Sequence, residues 1–184
     1  MSDFPRQLVL SDWLLTQLGI DQFQTLSEHL HHKELSGFTE DGNSRFYVRM
    51  CESVPQRLRD IPDDQLCDYD LNIVSHWKKI TEKRNHQGQS LYPLYFQWLA
   101  LLFNEIYQDR YWGDRDLFCA ELNTHLATFN LKLDKKLKLQ DYQPQELNKL
   151  AFWMATGSGK TLLMHINILP VSYTHLTLPT IPLV

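Results

Sequence analysis

The sequence predicts a mainly α N-terminal domain followed by the truncated start of an α/β unit: a strand, a glycine loop and a helix. Three observations carry this. Up to about residue 140, apolar side chains recur at helical spacing in segments punctuated by glycine, proline and acidic turn residues. Within them, residues 91–112 are apolar on all sides with few β-branched members, which fits a buried helix better than a strand. After Leu139 the character changes to a turn, a short apolar run, the stretch Ala155-Thr156-Gly157-Ser158-Gly159-Lys160-Thr161 and then the helical LLMHINIL.

Taken in order, Leu8, Leu10, Leu14, Leu15 and Leu18 mark a first helix over residues 6–18, with Gly19 as its stop. Asp21 can cap a second helix carrying Phe23, Leu26 and Leu30, which runs out towards the turn-rich residues 37–44. His29, His31 and His32 do not make a metal set: adjacent helical positions diverge by about 100°, and no Cys or carboxylate stands at ligand spacing. Residues 45–53 are apolar and aromatic but too short to assign, and Pro55 and Pro62 bracket a loop. Residues 68–84 read as a helix with Leu71, Val74, Trp77 and Ile80 inward. The aromatics of residues 91–112, interleaved with leucines, are a packed core rather than a base-stacking platform. Residues 114–129 give one more helix, with Leu117, Phe118, Leu122 and Leu126 on one face.

Composition excludes several classes. With 43% apolar and 12% aromatic residues the chain can bury a real core, which argues against general disorder. No apolar run approaches the roughly 18–20 residues needed to span a bilayer. The opening MSDFPRQLVLSDW puts acids and an arginine where a signal peptide needs a basic start and an unbroken apolar stretch. Cys51, Cys67 and Cys119 are odd in number and far apart, so neither a disulfide framework nor a zinc knuckle is expected. These features together predict a cytoplasmic protein with no membrane contact. The net charge is −4 and unevenly placed. Residues 1–130 hold 12 basic and 19 acidic side chains, a poor partner for a phosphate backbone, whereas residues 131–169 hold 6 basic and 3 acidic. That excess, Lys132, Lys135, Lys136, Lys138 and Lys149, leads into the glycine loop and reads first as a solvated surface run.

The loop is the one feature with specific chemistry. The general phosphate-binding pattern is G-x-x-x-x-G-K-[ST], and here residues 154–161 read MATGSGKT, with Met154 in place of the first glycine. Gly157 and Gly159 let the backbone wrap so that successive N–H groups of Ala155, Thr156, Gly157, Ser158 and Gly159 can face phosphate oxygens. The helix starting near Lys160 adds its partial positive charge. Lys160 would reach the β- and γ-phosphates of ATP, and Thr161 would give a hydroxyl to Mg2+.

A non-glycine first position followed by A-T-G-S-G-K-T resembles motif I of superfamily-2 helicases and translocases. FQWLALLFNEIYQDRYW and NKLAFWMATGSGKTLLMHINIL resemble the N-terminal part of large bacterial DEAD/DEAH-box helicase proteins, often described as type III restriction-subunit-like and linked to phage defence. The likeness spans roughly residues 40–169. It implies a RecA-like ATPase lobe beginning at residues 141–169 behind a helical accessory domain at 1–140, and an ATP-driven enzyme on nucleic acid, DNA before RNA, with restriction or defence subunits as partners. Gln143 resembles the upstream glutamine with which helicases read adenine; its spacing to the loop is shorter than in that motif, and a turn residue is the alternative. The acidic motif and the arginine finger of such enzymes lie far downstream, so this stretch is expected to be inactive alone.

Residues 170–184 have no charge and three prolines, and Pro170 is expected to end the loop's helix after about three turns. VSYTHLTLPT, residues 171–180, resembles a translated sequencing-library adapter, and 170–184 are therefore expected to be foreign to the fold. Two other readings stand beside the helicase: a helical interaction protein with a vestigial P-loop, and a P-loop NTPase of another kind, such as a defence-system signalling NTPase.

Overall fold

The computed structural model describes residues 8–86, 88, 90–133 and 138–175. Its helices are α1 (Val9–Gln17), α2 (Phe23–Leu30), α3 (Arg45–Ser53), α4 (Asp63–His86), α5 (Tyr95–Gly113), α6 (Arg115–Leu131) and α7 (Lys160–His175). Short 3-10 turns stand at Lys33–Leu35, Gln56–Leu58 and Pro144–Asn148. The fold is mainly α, and among the described residues there is no strand, only an antiparallel bridge between Phe38 and Ser44. No helix among those residues is long and apolar enough to cross a membrane. Residues 176–184, and Lys135 and Lys136 of the basic run, lie outside the described residues.

Local chemistry explains most boundaries. α1 closes in a glycine C-cap: the Ile20 N–H returns to the Leu15 carbonyl at 3.0 Å and the Gly19 N–H to that of Thr16 at 2.9 Å, with Gly19 at φ +68°. The next helix corrects an expectation, because Asp21 does not cap it. The capping position is Gln22, whose side chain makes no cap bond. α3 settles the unassigned residues 45–53 as helix. The Ser44 hydroxyl accepts the Tyr47 N–H at 3.0 Å, and Phe46 and Met50, one turn apart, are both buried. α4 begins five residues before the expected Asp68. Pro62 offers its carbonyl to the Leu66 N–H, and Asp63 and Asp64 sit in the first turn, where the helix dipole favours acids.

The phase of two helices also needs correcting. In α4 the buried stripe is Leu66, Tyr69, Ile73, Val74 and Trp77, while Leu71 is turned outward and Ile80 is half-buried. In α6, Phe118, Leu122 and Leu126 are buried and Leu117 is exposed. Both exposed leucines fall one position off a 3.6-residue stripe that other apolar residues complete.

α5 is the central helix and packs on α2, α4, α6 and α7. Trp98, Leu102 and Ile106 are fully buried, and Trp98 meets Phe46 with ring centroids 5.8 Å apart while Tyr107 meets Phe118 edge-on at 5.2 Å. Its aromatics thus serve mostly as core. Beneath Trp98 lies the buried carboxylate of Asp70. It accepts the Ser44 hydroxyl at 2.6 Å, the Ser44 N–H at 2.7 Å, the Trp98 indole N–H at 2.7 Å and the Asn43 amide at 3.2 Å. Burial pushes this carboxyl up in pKa, against the pull of those donors.

Two asparagines on one face of α6 hold the chain that follows. Asn123 accepts the Tyr142 N–H at 2.7 Å and donates to the Tyr142 carbonyl at 3.0 Å, and Asn130 makes the same pair of bonds with Leu139, each at 2.9 Å. The Tyr107 hydroxyl then donates to the Leu147 carbonyl at 2.5 Å. Leu147, Leu163 and Ile166 are buried in the same core as α4 and α5. α7 begins at Lys160 as expected but does not stop at Pro170, continuing to His175. Proline's fixed φ is helical, so the helix can pass through it at the cost of a hydrogen bond.

Two outcomes follow for stability. A Cβ on Gly19 would run into the Leu58 carbonyl, in a backbone region that L-residues rarely adopt, so Gly19→Ala should lower unfolding free energy by about 3 kcal/mol in urea titration. Burial, with a smaller contribution from Asp109, pushes Glu105 from 4.5 to about 7, although Asn72 hydrogen-bonds it and pulls the other way. Between those pH values the folded chain holds a proton that the unfolded chain releases, so stability falls as pH rises through that window. Glu105→Gln should therefore be more stable than the parent at pH 8, by on the order of 2 kcal/mol, with the gain gone below about pH 4.5, as read from melts across pH.

Candidate phosphate-binding loop

The approach to the loop differs from the expected strand. Residues 150–154 form no ladder among the described residues, because a strand requires a neighbouring edge and the elements beside this segment are helices. Phe152 and Trp153 stand exposed, at 37% and 88%. Met154, in the position of the missing first glycine, is half-buried against the core.

The loop itself is built as its residues require. The Ser158 N–H donates to the Ala155 carbonyl at 3.3 Å, closing a turn, and Gly157 and Gly159 take φ of +78° and +85°. A side chain at Gly157 would meet nothing within 4 Å, so the outer wall of the turn is open. The Leu163 N–H reaches the Gly159 carbonyl at 3.1 Å. The amides of Lys160, Thr161 and Leu162 precede it in the first turn of α7 and have no helical carbonyl four residues back. Lys160 folds over the loop, its ammonium donating to the Ala155 carbonyl at 2.8 Å and the Met154 carbonyl at 3.2 Å. A cation, open backbone and a helix N-terminus therefore converge within seven residues. Ala155, Thr156 and Thr161 are exposed, while Ser158 is half-buried and its hydroxyl lies buried without a partner.

Sequence reasoning missed what holds the loop to the bundle. Gln97, buried in the first turn of α5, accepts the Leu94 N–H at 2.9 Å and donates through its amide nitrogen to the Ser158 carbonyl at 2.9 Å. The contact is close: a Cβ on Gly159 would lie 2.7 Å from that nitrogen. Gly159 is thus required twice, by its φ and by Gln97. The signal for Gln97 was a glutamine set inside the apolar stretch YFQWLALL.

Two grooves flank residues 150–154. One, of about 430 Å³, is apolar and runs between Leu14 of α1, Phe96 and Phe103 of α5, and the extended segment, ending at Ser158. The other, also about 430 Å³, lies between Asn104 of α5 and the first turns of α7, and contains Lys160 and Thr161. Its lining carries one cation and no carboxylate, which suits an anion. Gln143 lines neither groove. It stands exposed before the Pro144–Asn148 turn, its N–H on the Glu146 carboxylate and its carbonyl accepting the Glu146 N–H, each at 2.9 Å.

The residues present fit a phosphate. For Mg2+ they supply one oxygen, the Thr161 hydroxyl, and among the described residues no group of three His, Cys, Asp or Glu forms a metal cage. That fits a hydrated ion held mostly by phosphate oxygens, the usual manner for Mg2+ beside a nucleotide. No protein-family model, curated protein or solved structure matches this chain.

Gln97→Ala should free the loop without unfolding the bundle. It leaves the Ser158 carbonyl and the Leu94 N–H unpaired, at a cost of about 1–2 kcal/mol. Amide exchange at residues 157–162 should accelerate while that of residues 98–107 stays slow, as read by hydrogen–deuterium exchange.

Proposed function

We propose that residues 155–161 bind the phosphates of ATP and that the chain is part of an ATP-dependent helicase or translocase acting on nucleic acid, with DNA preferred over RNA. The observation that carries the reading is the closed loop itself. Glycines at positive φ, the Lys160 ammonium folded onto the loop and the first turn of α7 stand together where the sequence pattern requires them. In this reading Lys160 turns from the Met154 and Ala155 carbonyls towards the β- and γ-phosphates, and Thr161 holds Mg2+. Bound Mg2+ supplies charge neutralisation between the phosphates.

The chain's own part is binding. Neither groove beside the loop is lined by a carboxylate that could orient an attacking water. Hydrolysis then calls for residues beyond these, which agrees with the resemblance to the opening of a RecA-like lobe at residues 141–169. Residues 1–140 act as an accessory module for recruiting substrate or defence partners, and the reading carries a cytoplasmic location with it. A second reading has an observation of its own. α7 packs on α4 and α5 rather than on a sheet, as in a helical interaction protein whose P-loop is vestigial.

Magnesium-dependent ATP binding by the 184-residue chain, measured by calorimetry, separates the two. Lys160→Ala should weaken it by at least about tenfold, the scale of one charge-assisted phosphate contact. Equal affinity in both forms would count for the interaction protein.

A further inference from the structure

We infer that Asn104 is the base-reading residue of this nucleotide site. The inference rests on the phosphate-loop reading and adds a residue that neither the loop pattern nor the helicase resemblance contains.

Asn104 lies on α5, two helical turns after Gln97 and therefore on the same face. It is only 4% exposed, in the wall of the groove that holds Lys160 and Thr161, and its amide nitrogen is buried without a hydrogen-bond partner. A buried carboxamide in a folded protein nearly always finds a partner, so an unmatched donor at a groove wall marks a place that a ligand can complete. The rest of the wall decides what kind of ligand. Leu150, Phe152, Met154, Leu163 and Met164 make it mostly apolar, with Thr161, Asn167 and the Lys160 cation as its other polar groups. A phosphate at the Asn104 end would be stripped of water against carbon. A nucleobase would bury its apolar faces there and present a polar edge to the amide.

The amide also matches the polar edge of a purine. A carboxamide has one donor group and one acceptor, and adenine offers the matching pair, a ring nitrogen that accepts and an amino group that donates. Guanine offers a matching pair of its own, O6 accepting and N1–H donating, so the amide can pair with either purine. The volume of about 430 Å³ falls within the range of small-molecule sites. Gln143, exposed in its turn and outside this groove, is not needed for the task.

The test uses calorimetry on the 184-residue chain with MgATP, MgGTP and magnesium tripolyphosphate, for the parent, Asn104→Ala, Asn104→Leu and Lys160→Ala. Thermal melts confirm folding, and Asn104→Leu keeps the side chain's shape while removing its polar atoms and adding no charge. The parent should bind ATP and GTP more tightly than tripolyphosphate. Both Asn104 variants should lose about tenfold or more for the two nucleotides, the scale of one bidentate base contact, with tripolyphosphate unchanged. Lys160→Ala should lose all three ligands. If the parent binds ATP, GTP and tripolyphosphate alike, or if the Asn104 variants weaken every ligand equally or none, Asn104 does not read the base, and the phosphate loop stands. If Lys160→Ala changes nothing, or the parent binds no ligand, the loop reading falls and the Asn104 assignment falls with it.

Discussion

One buried carboxylate organises the helical part of this molecule. Asp70 has no exposed surface, and four hydrogen bonds reach it from Asn43, Ser44 and Trp98. A lone buried charge would be too costly to keep, so the donors are obligatory, and they come from two distant parts of the chain, residues 43–44 and Trp98. Ser44 is also the cap of α3, which means one residue starts a helix and anchors it to α4. Trp98 brings α5 to the same point. α3, α4 and α5 therefore meet at this group, which takes a hydroxyl and a backbone N–H from Ser44 and an indole N–H from Trp98. Apolar burial supplies the driving force, and Asp70 sets the register.

From Trp98 the same helix extends that register to the loop. Its neighbour Gln97 points the other way and fixes the Ser158 carbonyl, while Tyr107 fixes the Leu147 carbonyl further along. α5 therefore holds the segment from Leu147 to Ser158 at both ends by hydrogen bonds to backbone oxygens. Such bonds do not depend on which side chains the segment carries, so Phe152 and Trp153 remain outward without loosening it. The two asparagine pairs of α6 do the same for Leu139 and Tyr142. The amides of Asn123 and Asn130 take the place that a neighbouring strand would fill in a sheet, each offering one donor and one acceptor to an extended backbone.

This substitution explains what could and could not be read from the sequence. α5 and α6 were legible as helices because dense apolar residues over their length fix the existence of a buried helix, though not which residues face inward. The Gly19 stop was legible because it needs a positive φ. Leu71 and Leu117 were assigned to the wrong face because neighbouring apolar residues allowed two stripes, and only packing chooses between them. α3 was not assignable because its stability comes from the Ser44 cap and Asp70, one of them 26 residues away. The loop and the start of α7 were legible from glycine and lysine spacing. The strand was not formed, since alternation and apolar content report a preference for extended backbone and not the presence of an edge to pair with. Gln97 and Asn104 were visible only as polar residues in an apolar helix, a pattern whose meaning depends on what lies opposite.

The loop's own energetics bear on how such a site would work. Lys160 is an exposed cation, yet two carbonyls already take its hydrogen bonds, so a phosphate bound as proposed would compete with the backbone for the ammonium as well as with water. That competition is weak, because neutral carbonyls lose to a multiply charged anion. In the absence of anion it still keeps the lysine over the loop instead of sweeping through solvent. The Gln97 bond acts on the same account by fixing the Ser158 carbonyl, and with it the turn between Gly157 and Gly159. Both contacts reduce the conformational freedom that binding would otherwise have to remove, which is how a loop supported by a helix, with no sheet beneath it, can remain organised for an anion.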